Sequence, residues 1–305
     1  MQVTFLGTSA GIPTETRGLP SLALSLGGEI LLFDCGEGTQ IQFRRAGLRP
    51  GRLAHILISH LHGDHVLGLP GLLMSLQLGG RTQPLGLHGP PGIGDFIRAT
   101  LERLAAHVAF PLEITEHSGP ERVVHGSGYE VECRPLEHRI LCLGYALQEA
   151  PRPGALDVAV ARRLGVADGP LMGRLKAGES VTTADGRVVT AREVLRPPVP
   201  GRRIAYCTDT RPCPACLALA RDADLLIHES TFTSDRAEDA QQKGHSTAAE
   251  AAAIAAQAGA RRLALTHISP RYQDPEAQRA DAGCLFPATV VAADLQRLTV
   301  PKRVA

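Results

Sequence analysis

The chain of 305 residues has no tryptophan, and only four tyrosines and seven phenylalanines. So few aromatic rings argue against base stacking as the main way of holding a nucleic acid, and leave shape and phosphate contacts for that task. No apolar stretch approaches the roughly 20 residues a bilayer-crossing helix needs. The first residues, Met1-Gln2-Val3-Thr4-Phe5-Leu6, run into a strand pattern with neither a basic start nor an apolar leader core. A cytoplasmic protein without a membrane span is therefore expected. An excess of one charge is also missing, the formal net charge being +1. The seven cysteines are odd in number and scattered, which fits reduced thiols better than a disulfide framework. Cys213-Pro214-Ala215-Cys216 has C-x-x-C spacing, but no second such pair completes a zinc site, and its role stays open. With 44% hydrophobic residues the chain can bury a large core, and one domain over residues 1–305 is expected rather than two.

What is present is a dense set of metal-grade side chains. His60-Leu61-His62-Gly63-Asp64-His65 follows the apolar run Ala54-His55-Ile56-Leu57-Ile58-Ser59. Alternate residues leave a strand end on the same side, so H-x-H-x-D-H can aim two imidazoles at one cation and a carboxylate and imidazole at a neighbour. Three more candidates each end an apolar segment: His138 after residues 131–137, Asp209 after 203–208, and His267 after 262–266. Any one of these histidines alone could equally be structural; together with the motif they suit a binuclear site.

With these residues the chain resembles the metallo-β-lactamase superfamily, whose ligand order is H-x-H-x-D-H, a distant His, a bridging Asp and a last His. Further motifs narrow the resemblance. Phe5-Leu6-Gly7-Thr8-Ser9-Ala10-Gly11, Leu32-Phe33-Asp34-Cys35-Gly36-Glu37-Gly38-Thr39-Gln40, His228-Glu229-Ser230-Thr231-Phe232, Gly244-His245-Ser246-Thr247 and His267-Ile268-Ser269-Pro270-Arg271-Tyr272 are similar to ribonuclease Z, the endonuclease that removes the 3′ trailer of precursor tRNA. The resemblance implies an α/β fold, an αββα sandwich carrying metals at one edge. It implies two Zn²⁺, with Mn²⁺ possible because it accepts similar ligands. His60, His62 and His138 would hold one ion, Asp64, His65 and His267 the other, and Asp209 would bridge them. A hydroxide formed there would attack phosphorus, leaving a 3′-hydroxyl on the tRNA and a 5′-phosphate on the trailer. Asp64 would also accept the water's proton, His245 would supply the proton for the departing oxygen, and Arg271, four residues after His267, would orient the surroundings of His267 or contact a phosphate. Glu229 is expected to support the site from behind. A homodimer is implied as well.

The segment 151–203 holds ten Lys or Arg against five acids, so it is +5 and the remainder −4. Proline clusters, Pro151-Arg152-Pro153-Gly154 and Pro197-Pro198-Val199-Pro200-Gly201, bracket it and mark residues 151–200 as an inserted basic arm. Inside lies Gly169-Pro170-Leu171-Met172-Gly173-Arg174-Leu175-Lys176, similar to the G-P-x-x-G-x-L-K exosite motif of bacterial ribonuclease Z. Gly169 and Gly173 would let the backbone approach phosphates that Arg174 and Lys176 neutralise. One loop departs from the family. Where many members read P-x-K-x-R-N, this chain has Pro13-Thr14-Glu15-Thr16-Arg17-Gly18; Arg17 keeps a phosphate-binding group, but the cut position relative to CCA is left open. A small-molecule phosphodiesterase of the same fold is the alternative, and has no need of a basic arm. A thioester or lactam hydrolase lacks a reason for the G-H-S-T and H-x-S-x-R-Y pieces. A non-catalytic RNA-binding scaffold lacks one for the complete ligand set.

The pattern predicts strands at residues 2–6, 21–26, 29–33, 55–59, 129–134, 145–149, 204–207, 225–228 and 263–266. Helices are predicted at 39–46, 68–78, 94–106 and 247–258, the last capped by Ser246 and Thr247 and stopped by Gly259.

Overall fold

Two seven-stranded sheets face one another in the computed structural model, which describes residues 1–304. The first sheet runs, in spatial order, Arg297–Thr299, Gln2–Gly7, Ser21–Leu26, Glu29–Phe33, Leu53–Leu57, Leu85–Gly89 and Leu112–Glu116. The second runs Thr289–Val291, Leu263–Thr266, Leu225–Glu229, Arg203–Cys207, Cys142–Glu149, Tyr129–Leu136 and Glu121–Gly126. Between them lie residues that alternate along the strands, among them Val3, Phe5, Leu31, Phe33, Val131, Tyr145, Ile204 and Ile227. The opposite faces are apolar too. Ile56, Leu87 and Leu32 of the first sheet pack on helices Thr39–Arg45, Leu69–Leu78 and Ile93–Arg103. Ala205, Leu226 and Leu265 of the second pack on Pro214–Ala220, Ala248–Gln257 and Glu276–Gly283. Strands buried on both faces read as continuous apolar runs, as Leu263–Thr266 does. The layers are therefore αββα.

Five strands of the two sheets escaped the sequence pattern, and two of them, Thr289–Val291 and Arg297–Thr299, are only three residues long. Leu85–Gly89, Leu112–Glu116 and Glu121–Gly126 have their apolar runs interrupted by histidine, glutamate or glycine and lie toward one end of the sheets. The strand expected at 55–59 is Leu53–Leu57. Its early end matters, because Ile58 and Ser59 then form part of the loop that delivers His60. Helix Ala248–Gln257 begins with a reciprocal cap: Thr247 Oγ1 accepts the Glu250 N–H, and the Glu250 carboxylate accepts the Thr247 N–H. Ser246 is not a cap. Its hydroxyl donates to the Thr210 carbonyl at 2.6 Å.

The chain divides into two compact units, Met1–Leu147 with Arg203–Val300, and Gln148–Arg202 with the residues from Pro301 onward. The boundaries of the second fall within three residues of the proline-bracketed segment. This unit has its own small core of Ala161, Val166, Leu175, Val181, Val189 and Val194. Arg202 closes its base with a two-pronged pair to Glu149, at 2.7 and 2.8 Å. The Gly-Pro segment is not an open loop: Pro170–Lys176 is helical, with proline at its first position and Gly169 before it at φ +117°, which only glycine adopts readily.

Candidate active site

The site forms where strands of both sheets end. Leu53–Leu57, Arg203–Cys207, Leu225–Glu229 and Leu263–Thr266 are parallel to a neighbour, so their carboxyl ends open into a shared crevice. The chain turns there through unusual backbone. Asp34, Asp209 and His267 all have positive φ, 55°, 37° and 55°. Aspartate tolerates this region better than most residues, but three such residues in one crevice mark a site where backbone strain is held by the surrounding fold.

Asp209 is at the centre. Its Oδ2 lies 3.7 Å from His60 Nε2 and 3.9 Å from His138 Nε2; its Oδ1 lies 3.3 Å from His65 Nε2 and 3.2 Å from His267 Nε2. His62 Nδ1 completes the first group, 2.9 Å from His60 Nε2 and 3.4 Å from His138 Nε2. Asp64 Oδ2 completes the second, 3.4 Å from His65 Nε2 and 3.6 Å from His267 Nε2, and accepts the Gly11 N–H at 3.0 Å. All seven sequence candidates for metal ligation thus meet in two sets.

Both sets fit divalent cations. Ligands about 2.0–2.1 Å from a tetrahedral zinc stand roughly 3.3 Å apart, close to the spacings above. The Nε2 atoms of His65 and His267 are buried with no hydrogen-bond partner. Asp34, Asp209 and Glu229 are buried carboxylates at or beside the site, and need balancing positive charge. At His65 burial opposes the charged ring, but Asp209 and Asp34 outweigh it and raise its proton affinity well above the ordinary value. Burial lowers that of His60, His62 and His138, which leaves neutral lone-pair donors.

Each imidazole except that of His62 is aimed from behind through Nδ1. Ser59 Oγ holds His60 at 2.9 Å, Asp34 Oδ2 holds His65 at 2.9 Å, the Gly244 carbonyl holds His138 at 2.8 Å, and Thr231 Oγ1 holds His267 at 2.8 Å. Because Ser59 and Thr231 spend their own hydroxyl protons on Asp34 and Glu229, they accept from the rings, and Nε2 is left facing the crevice. Asp34, Ser59, Thr231 and the Gly244 carbonyl were not singled out from sequence. Asp34 had a signal, being one acid at the end of the apolar run Ile30–Phe33; Thr231 and Gly244 lay within motifs quoted for the resemblance but were given no role, and Ser59 had no signal.

The crevice continues into a cleft of about 690 Å³ lined by Asp64, His245, His267, Arg139, Lys243 and Arg271. His245 Nδ1 is 2.9 Å from Glu229 Oε1. Burial disfavours its charged form, but Glu229 prevails and lifts it to about 9. Arg271 donates to Ser269 Oγ and lies with its guanidinium carbon 5.1 Å over the Phe232 ring centre, with Lys243 Nζ 5.3 Å from the same centre. Arg139 and Lys243 are cations that sequence reasoning missed. Arg17 points elsewhere: it donates to Thr8 Oγ1 at 2.6 Å and the Ala292 carbonyl at 2.7 Å. In the second unit, Arg174 pairs with Glu179 at 2.8 Å on an exposed surface, and a side chain at Gly173 would meet nothing within 4 Å. A larger cavity, about 1090 Å³, lies between helices Thr39–Arg45 and Leu69–Leu78 and holds none of these residues.

A ribonuclease Z of Acaryochloris marina is 45% identical to the chain, over 99% of it and 98% of the relative. The chain belongs to the ribonuclease Z family. A ribonuclease BN of Cronobacter sakazakii is also 45% identical, over 98% of this chain and all of the relative. Among solved structures, the short form of human tRNase Z superposes with a TM-score of 0.72 at 30% identity, over 99% of this chain and all of that one. A family model described as "Beta-lactamase superfamily domain" matches residues 175–268, and one described as "Anti-Pycsar protein Apyc1" matches residues 1–89. The layers and the ligand clusters are thus those of a metallo-β-lactamase fold hydrolase, an endoribonuclease by family, with a His/Asp site for a divalent metal.

Proposed function

We propose that the chain is a zinc-dependent endoribonuclease that removes the 3′ trailer of precursor tRNA. The observation that carries this is Asp209, whose two oxygens face two separate imidazole sets in a chain that belongs to the ribonuclease Z family. His60, His62 and His138 would hold one ion, Asp64, His65 and His267 the second, with Asp209 shared. When bound, such a pair lowers the pKa of a water and neutralises charge on the phosphoryl oxygens. The remaining steps belong to the protein. Asp64 takes the proton of the attacking water on its carboxylate. His245, anchored through Nδ1 on Glu229, holds a proton at Nε2 for the 3′ oxygen that departs. Arg271, its guanidinium carbon 5.1 Å over the Phe232 ring, presents a cation to a phosphate in the cleft.

The basic insertion supplies the grip on tRNA. Gly169 and Gly173 let backbone approach phosphates, and Arg174 and Lys176, in the last turn of their helix, neutralise them. Arg17 contributes through its internal bonds, by holding the loop 13–18 against Thr8. We read the active form as a cytoplasmic homodimer carrying two Zn²⁺ per chain, with Mn²⁺ able to substitute; no helix among the described residues is long and apolar enough to cross a membrane.

The test pairs a trailer-bearing precursor tRNA with a small phosphodiester. Zinc-loaded protein should cut the RNA once near the acceptor end, lose this activity with Asp64→Ala, and lose much of it when residues 151–200 are removed while the small diester is still hydrolysed. Intact RNA beside a small diester hydrolysed equally with or without the insertion would replace this reading by that of a small-molecule phosphodiesterase.

A further inference from the structure

Cys213 and Cys216 lie apart from the proposed chemistry, yet their sulfurs are 3.4 Å apart. Cys216 is fully buried, Cys213 is 9% exposed, and Cys216 also meets the thiol of Cys207. A disulfide needs the sulfurs at about 2.0 Å, a change that side-chain rotation can supply across two intervening residues when they start this close. The neighbourhood gives such a change a consequence. Thr210 Oγ1 sits 3.8 Å from Cys213 Sγ and 3.9 Å from Cys216 Sγ. That same residue follows Asp209, donates its N–H to Glu229 at 2.8 Å, accepts the Glu137 N–H beside His138, and receives the Ser246 hydroxyl on its carbonyl.

We propose that Cys213 and Cys216 are a reversible oxidation site, whose disulfide is felt through Thr210 at Asp209 and His138. In the step, each thiol gives up its proton, one bond forms between the two Sγ atoms, and two electrons reduce a small oxidised disulfide such as oxidised glutathione to two thiols. The pair rests reduced. The Cys216 hydrogen bond and burial raise the Cys213 thiol, and the Cys207 contact raises that of Cys216, so little thiolate exists at neutral pH and exchange is slow. The disulfide stands on this geometry alone; its effect on metal rests on the site reading above, and the two are measured separately.

The experiment uses the full chain with Cys284→Ser, which removes the exposed thiol. After incubation with oxidised glutathione at mildly alkaline pH, the peptide holding residues 213–216 should lose the mass of two hydrogens, and should not do so in Cys213→Ser or Cys216→Ala. An unchanged peptide, under conditions where the denatured chain forms this disulfide, overturns the site; so does a glutathione adduct as the end product. Competition with a chromophoric chelator should then show zinc held about tenfold more weakly in the oxidised chain, with recovery on adding dithiothreitol. Equal affinity in the two forms overturns the coupling. A chain that binds no zinc in either form sinks the metal reading instead, while the mass still decides the disulfide.

Discussion

Glu229 Oε1 lies 2.9 Å from His245 Nδ1, and it does so from a fully buried position. The carboxylate's other oxygen accepts the Thr231 hydroxyl at 2.6 Å, whose oxygen takes the proton of His267 Nδ1. One buried acid therefore sets the proton-bearing nitrogen of two histidines, one in the candidate metal set and one at the cleft. Its removal acts on both, which is why tests of the two roles must use other residues.

His245→Ala separates proton donation from the rest. Loss of a positioned acid should lower the rate on an RNA substrate by roughly 10²–10⁴-fold. A diester with a nitrophenolate leaving group departs without a proton, so its hydrolysis should fall far less. Equal losses on both substrates, in a variant with unchanged zinc content, would remove His245 from the role of proton donor.

Gly244→Ala tests how His138 is aimed. Gly244 has φ +76°, and an added Cβ would stand 3.0 Å from His138 Nδ1. The substitution adds about 1 kcal/mol of backbone strain and pushes on the ring it should support. Zinc affinity should drop about tenfold or more, read by chelator competition, while the far-UV circular dichroism stays that of the parent.

Chelation should destabilise the chain. Binding to the folded state alone contributes about 2.7 kcal/mol when free metal stands at 100 times Kd. In scanning calorimetry the metal-free chain should therefore melt several degrees lower than the zinc-loaded one. Identical melting temperatures would show that the histidine sets hold no ion tightly.

Acid should loosen the insertion before neutral conditions do. Arg202 hydrogen bonds hold the Glu149 carboxyl at about 2, below its ordinary value near 4.5. A depressed carboxylate contributes stability that is complete above the unfolded value and is lost as pH falls through the folded one, here from about pH 5 to 2. With allowance for partial solvation the contribution is about 1–2 kcal/mol. Glu149→Gln should cost that much in urea unfolding at pH 7 and little at pH 2.

Much of the site was legible because its chemistry is local. H-x-H-x-D-H carries four candidates in six residues, and the other three each follow an apolar segment that ends at the crevice. The Thr247 cap was legible for the same reason, its partner being three residues away. The strand at Leu85–Gly89 was not, because Gly86 and His88 break an apolar pattern that tertiary burial restores.

By itself the sequence determined which side chains are present to bind metal, the family they belong to, and a basic segment between proline clusters. Tertiary structure decided how they are used. Asp34 reaches His65 across 31 residues and Tyr206 across 172, and the Gly244 carbonyl reaches His138 across 106. It also turned Arg17 onto Thr8 and Ala292, folded the Gly-Pro segment into a helix, and brought Thr210 between two thiols and a candidate metal ligand. These contacts depend on the packing of the two sheets and on backbone with positive φ at their edges, and no periodicity along the chain encodes either.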